Sequence, residues 1–391
     1  MRKIDWENIG DDKEVLEYLR SLPRYHNTAV RSAFRRALFF LSLVYCRIFK
    51  KVKPLFVVLV TNNSCNLNCV YCYGSYGERG KYKDYTTKEL LKIIDELKDL
   101  GTRLITLHGG ESLLRKDIGE IINYAKHKGF YISFNTNGYL IPKRIDELRS
   151  IDVIAISMDG KKESNDRNRG EGCYEKCMTA IDIISEHGMP LVVSATLTKD
   201  NMNDMEFLAE LGKTKNCRIQ YHLLYNSGTL DSKNAALVMS PEEMKDTIKK
   251  IKQLRDSGYP IYWSDHVLST VIEWPADEKS FLTEDDLLLK NNDIGKKNNL
   301  ITCYHGTLKY QIDADGRVVT CWAQNDPNAP NIKNVGVAEA IKKCHENNTC
   351  RYCTFLANNE HNDLMDLSFQ GIWNILRIQI VDTFKIKKKE N

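Results

Sequence analysis

The chain has 391 residues, 42% of them hydrophobic and 28% charged, and a net charge of +4. That length accommodates one large domain and a smaller appended one, and the near-neutral balance gives no electrostatic ground for a nucleic-acid partner. No apolar run reaches the roughly 18 residues of a spanning helix, and the opening MRKIDWENIG lacks the apolar core of a secretory signal, so a cytoplasmic protein is expected. Its twelve cysteines are then expected to stay reduced, which favours metal or catalytic use over disulfides.

Residues 1–52 form a leader, polar at first and then basic and apolar. In it Arg31, Arg35, Arg36, Arg47, Lys50 and Lys51 surround the stretch AFRRALFFLSLVYCRIF, where Phe34, Leu38, Leu41, Tyr45 and Ile48 recur at helical spacing. Across residues 53–240 apolar, β-rich runs at 55–61, 103–107, 131–135, 153–157, 190–196 and 218–223 alternate with amphipathic segments such as TTKELLKIIDELKDL and YEKCMTAIDIISEHG. Six strand–helix repeats predict an α/β fold with a parallel sheet, as a partial (β/α)6 barrel whose chemistry sits at the carboxyl ends of the strands. Residues 241–300 read as a helical linker region: SPEEMKDTIKKIKQLRDSG is a capped helix, and 275–300 is polar and loop-rich. The remainder, 301–391, is expected to be a small auxiliary domain, with a β-hairpin turning at Asp315-Gly316. Its final helix joins Ile372, Trp373, Leu376 and Ile380 before Lys385, Lys387, Lys388 and Lys389. Basic amphipathic helices at both ends raise the expectation of peripheral membrane contact.

Cys65, Cys69 and Cys72 directly follow the first strand and so occupy a loop at the mouth of the barrel. Thiolates hold iron–sulfur clusters, and three of them leave one iron of a 4Fe–4S cluster open to a cofactor's amino and carboxylate groups. The run CNLNCVYC resembles the signature of the radical S-adenosylmethionine (SAM) superfamily, and residues 55–223 carry further matches. Gly109, Gly110 and Glu111 follow the second strand, where the family's segment grips the methionine amino group, although Ser112 stands where the family usually has proline. The third strand ends at Asn135 in NTNG, the fourth gives Ser157 and Asp159 in ISMDG, Arg169 is matched to the cofactor carboxylate, and Ser194 on the fifth is matched to the ribose side. The resemblance implies reductive cleavage of SAM to a 5′-deoxyadenosyl radical that abstracts hydrogen from substrate, with electrons from an external donor such as flavodoxin or ferredoxin.

Cys303, Cys321, Cys350 and Cys353 form a second set, with Cys344 nearby as a substitute. Four thiolates suit either zinc or a fully ligated 4Fe–4S cluster. The layout resembles the twitch domain, a shortened SPASM domain, and that resemblance implies an auxiliary iron–sulfur cluster and two clusters in all. Tyr221 and His222, closing the sixth strand, are candidate catalytic residues. The expected reaction oxidises or functionalises an unactivated carbon on an unidentified substrate, on a lipid or lipid-linked molecule in one version. The alternatives are a peptide (RiPP-type) maturase and an alcohol dehydrogenase-type enzyme on a soluble small molecule.

Overall fold

Several strands of this chain alternate between fully buried aliphatic side chains and half-buried, mostly polar ones. In the computed structural model, which describes residue 6 and residues 10–72, 83–225, 235–276, 279–289, 298–323 and 326–387, with side chains to residue 378, this alternation organises two compact units. The strands contribute to an eight-stranded sheet of mixed α/β architecture. One unit comprises Met1–Asn68, Gly74–Ala155 and Gly306–Asn347; the other comprises Cys69–Tyr73, Ile156–His305 and Asn348–Asn391.

In the first unit, β1 (Phe56–Val60), β2 (Leu104–His108) and β3 (Tyr131–Thr136) run parallel in the order β3-β2-β1. Helix α1 (Asp12–Ser21) and helix α2 (Ala29–Ile48) precede them. Helices α3 (Thr87–Asp99), α4 (Ile118–His127) and α5 (Ile141–Leu148) follow the three strands in turn. Thr86 and Glu89 form a reciprocal capping box at the start of α3, and Gly101, at φ +93°, closes its far end. On β2 and β3, Ile105, Leu107, Ile132 and Phe134 are fully buried, whereas Thr106, His108, Ser133 and Asn135 are half-buried on the opposite face. Strand β4 (Val153–Ser157) carries the chain from the first unit into the second.

The hairpin read at Asp315-Gly316 forms as β8 (Lys309–Ile312) and β9 (Val318–Val319), with Gly316 at φ +98°. It does not stand apart from the barrel strands. β8 pairs in parallel with β1, from Phe56 opposite Lys309 to Leu59 opposite Ile312. Nothing in the local pattern of KYQI announces a partner so distant in sequence, because pairing choice is a tertiary property.

In the second unit, α6 (Lys162–Arg169) and α7 (Cys173–Glu186) lead to β5 (Leu191–Leu197), α8 (Met205–Thr214) and β6 (Arg218–Leu223), and β5 and β6 are parallel. Helix α9 (Pro241–Asp256) carries a capping box between Ser240 and Glu243, and α10 (Asp265–Ile272) follows. The region expected to be loop contains β7 (Phe281–Thr283) and α11 (Glu284–Leu289); β7 pairs antiparallel with β10 (Cys350–Cys353). A three-residue strand is too short to display a period, so only its distant partner reveals it. Helices α14 (Leu356–Met365) and α15 (Phe369–Lys387) complete this unit, after α12 (Ile332–Val335) and α13 (Val337–Glu346) of the first. On α15, Trp373 and Leu376 are exposed while Asn374 and Ile378 are buried; the side chains of Ile380, Lys385 and Lys387, and residues Lys388 and Lys389, lie outside the described residues.

The leader is part of the first unit's core. Ser32, Arg35, Phe39, Leu43 and Cys46 form the buried face of α2. Arg35 and the fully buried Lys126 both pair with Asp152, which also accepts from Asn27 Nδ2 at 3.1 Å and from the Ile132 N–H at 2.8 Å. Removing Asp152 would leave two enclosed cations without their counter-charge. Asp152→Ala is therefore expected to lower the unfolding free energy by about 3–5 kcal/mol in urea titration. A loss of only about 1 kcal/mol, as for an exposed pair, would contradict this role.

Candidate functional site

The cysteine loop begins where β1 ends, and its first half lies on the loop that follows β2. The Gly110 N–H donates to Asn62 O at 2.9 Å and the Glu111 N–H to Ser64 O at 2.8 Å. That approach is open only to glycine: a Cβ on Gly109 would fall 2.3 Å from Asn62 Oδ1, and one on Gly110 2.3 Å from Ser64 O. Glu111 is 2% exposed. Its carboxylate accepts from the Leu113 N–H at 3.0 Å, the Thr136 hydroxyl at 2.9 Å and the Asn137 N–H at 2.7 Å. Burial pushes its pKa up, and the three donors pull it back. Ser112, at the usual proline position, secures the turn differently, with its hydroxyl 2.9 Å from that of Thr61 at the end of β1. Asn137, in turn, reaches the cysteine loop: its side-chain amide donates to Asn66 Oδ1 at 2.8 Å and lies 4.0 Å from Cys65 Sγ.

The second half of the loop belongs to the second unit. Asp159, just past β4, is fully buried. It accepts from Arg169 Nε and Nη2, both at 2.9 Å, from the Thr196 N–H at 2.9 Å, and from the Tyr71 hydroxyl. The Arg169 guanidinium also lies over the Tyr71 ring, 5.7 Å from its centroid. Burial pushes the Tyr71 phenol well above its ordinary range, so it stays a donor. The Val70 N–H donates to Asn168 O at 2.9 Å, and the Cys72 N–H to Cys69 O at 3.1 Å. Tyr71 sits between these cysteines and is therefore held at ring and hydroxyl alike.

A strand-end cysteine loop, gripped by a glycine-rich turn and by an aromatic residue before its last cysteine, matches a known domain. The sequence profile of the Radical SAM superfamily fits residues 59–212. Residues 59–212 are thus similar to the radical SAM superfamily. It is 29% identical over 221 residues to the Fe-coproporphyrin III synthase of Methanosarcina barkeri, covering 54% of this chain and 55% of that protein. To the sporulation killing factor maturation protein SkfB of Bacillus subtilis it is 26% identical over 286 residues, covering 70% of this chain and 62% of SkfB. The chain thus spans little more than half the length of these curated relatives. In fold it is similar to Streptococcus suis SuiB, with a TM-score of 0.58 at 14% identity over 86% of this chain and 76% of that one; SuiB is also known bound to precursor peptide SuiA.

Radical SAM enzymes use a 4Fe–4S cluster and SAM. The donor chemistry here fits such a cluster: Cys65, Cys69 and Cys72 are in no disulfide and are all half-buried in one short loop. Of the second cysteine set, Cys303, Cys350 and Cys353 lie in the second unit and Cys321, half-buried after β9, in the first. The Cys303 N–H donates to Arg351 O at 2.7 Å, which aligns Cys303 with the Cys350–Cys353 strand. Cys344 completes the buried stripe of α13 with Val337, Ala340 and Ile341, and burial raises its pKa to about 12. It has the surroundings of a core residue.

Among the remaining candidates, Asn135 of the first unit and Ser157 and Ser194 of the second lie half-buried on the polar strand face. Tyr221 does not: it is fully buried on the opposite face of β6, where its hydroxyl donates to Met205 O at 2.6 Å and its carbonyl accepts from Trp263 Nε1 at 2.8 Å. Adjacent strand residues point to opposite faces, so only one of Tyr221 and His222 reaches the polar side, and that one is His222. Three contributors passed over in the sequence are Tyr71, Thr136 and Asn137. Their signal was adjacency to the motifs, Tyr71 within CNLNCVYC and the other two within NTNG.

Desolvation lowers the pKa of His108 and of His222 to about 4. Unfolded imidazoles titrate near ~6.5, so the unfolded chain binds more protons between those values, and stability held above pH ~6.5 drains as pH falls towards 4. Melting temperatures measured across that window are expected to fall less steeply in a His108→Gln/His222→Gln double variant than in the wild type. Identical slopes would show that the two rings carry no such burden.

Proposed function

We propose that this protein is a peptide-modifying radical SAM enzyme, which removes a hydrogen atom from an unactivated carbon of a peptide. The observation that carries the reading is the likeness to the maturation protein SkfB. It extends over 286 residues, well past the 59–212 domain, and so takes in sequence outside the radical SAM core. In this proposal Cys65, Cys69 and Cys72 ligate the first cluster, and Cys303, Cys321, Cys350 and Cys353 ligate an auxiliary one of the twitch type. When bound, the first cluster and SAM supply the 5′-deoxyadenosyl radical, with electrons from a flavodoxin or ferredoxin.

The chain's own residues orient and enclose. Gly109, Gly110, Asn135, Ser157 and Ser194 lie along the SAM-facing side. Glu111 and the Asp159–Arg169 pair keep the cysteine loop in the shape that ligation needs, each within its own unit. His222, neutral at physiological pH because of desolvation, serves as a hydrogen-bonding contact to substrate and not as a cation. The polar strand face gives the cofactor's ribose and carboxylate their partners, while the aliphatic residues behind it hold the strands to their helices.

Fully reconstituted protein is expected to contain roughly eight irons per chain, and replacing Cys65, Cys69 and Cys72 by alanine to halve that figure and abolish SAM cleavage. The substrate class is tested by adding peptide, tetrapyrrole and lipid fractions separately to reduced enzyme. A rise in 5′-deoxyadenosine together with a mass change in a peptide is the expected result. A response confined to the tetrapyrrole or the lipid fraction would overturn the peptide assignment.

A further inference from the structure

Helix α2 is apolar on two opposite faces. One, built on Phe39, Leu43 and Cys46, is buried in the first unit. The other carries Val30, Phe34, Leu41, Tyr45 and Ile48, spaced by four, seven, four and three residues, and continues into Phe49. At 3.6 residues per turn these positions fall within one stripe of the helix surface. They are solvent-exposed: 78% for Val30, 62% for Phe34, 63% for Leu41 and 66% for Ile48. A contiguous apolar strip of this kind on a soluble surface marks an interaction site.

The charge around the strip selects its occupant. From Tyr18 to Gly77 the sequence has no aspartate or glutamate and nine arginines and lysines. Arg35 is consumed by Asp152, but Arg24, Arg31, Lys50 and Lys51 are exposed near the two ends of the helix. An apolar strip with cations at its margins complements a surface that is apolar inside and anionic at its boundary. Among the described residues no helix is long and apolar enough to cross a membrane, and the ionic attachment of Arg35 holds the inner face of α2 to the protein. The geometry therefore suits a helix lying along a surface.

We propose that the outward face of α2 binds the protein to an anionic lipid bilayer, with Phe34, Leu41 and Ile48 entering the headgroup–acyl boundary and the flanking arginines and lysines contacting lipid phosphates. The surface shares no residue with the cysteine loops and does not depend on the substrate assignment. Its occupant is a bilayer and not a second copy of the chain, because two copies of α2 face to face would oppose cation to cation.

The test is sedimentation of the reconstituted protein with vesicles of phosphatidylglycerol and phosphatidylethanolamine, against vesicles of phosphatidylcholine alone. Binding to the anionic vesicles is expected at low salt, weakened as salt shortens the screening length, and at least tenfold weaker in a Phe34→Glu/Leu41→Glu variant. Both side chains are exposed, so iron content and melting temperature should match the wild type and identify the loss as one of docking. Absence of binding to anionic vesicles, or wild-type binding by the variant, would overturn the proposal. So would gel filtration showing a dimer that the same two substitutions dissociate, since the face would then belong to a second copy.

Discussion

A loop that must present three thiols in a fixed arrangement cannot rely on its own residues. CNLNCVYC offers one buried leucine, Leu67, and no regular structure. Its shape is imposed from outside by two buried carboxylates. Glu111 ties the turn after β2 to the turn after β3, and those turns hold residues 62–66 through backbone contacts and Asn137. Asp159 ties the end of β4 to Arg169, to β5 and to the ring-bearing residue between Cys69 and Cys72. Each accepts several hydrogen bonds, and each leaves buried donors unpaired if removed, at about 1–3 kcal/mol per donor. The rest of the fold serves to bring these two groups to strand ends.

Glu111, Asp159 and Arg169, matched by resemblance to the SAM site, also make hydrogen bonds within their own chain. The GG pair before Glu111 is likewise explained by backbone packing: two Cβ atoms would collide with the first residues of the cysteine loop. In this chain the acidic and glycine residues of these motifs shape the loop that carries Cys65, Cys69 and Cys72. The same logic explains why Ser112 is tolerated in place of proline, since a hydroxyl bridge to Thr61 stiffens the turn that a pyrrolidine ring would otherwise restrain.

The strands and their order along the chain were legible because aliphatic runs, caps and closing glycines agree with one another, as Thr86, Glu89 and Gly101 do around α3. What escaped the sequence has a common cause. Tyr221 and His222 are neighbours with similar chemistry, and only the phase of β6 separates the one packed under α8 from the one on the polar face. β8 joins β1 through backbone groups, which carry no side-chain signature. The leader shows apolar residues on every side, so one period could not reveal that Phe39 and Leu43 face inward while Phe34 and Leu41 face out. In each case the deciding information is which surface a residue meets.

The central claim, that Glu111 holds the cysteine loop rather than the cofactor alone, is tested most directly by iron content and SAM affinity measured together on Glu111→Ala. The account predicts that reconstituted Glu111→Ala retains about half the wild-type iron, the auxiliary cluster surviving, and binds SAM weakly because the loop cluster is lost. A variant with full iron and only weakened SAM binding would contradict it, and would make Glu111 a cofactor ligand and nothing more.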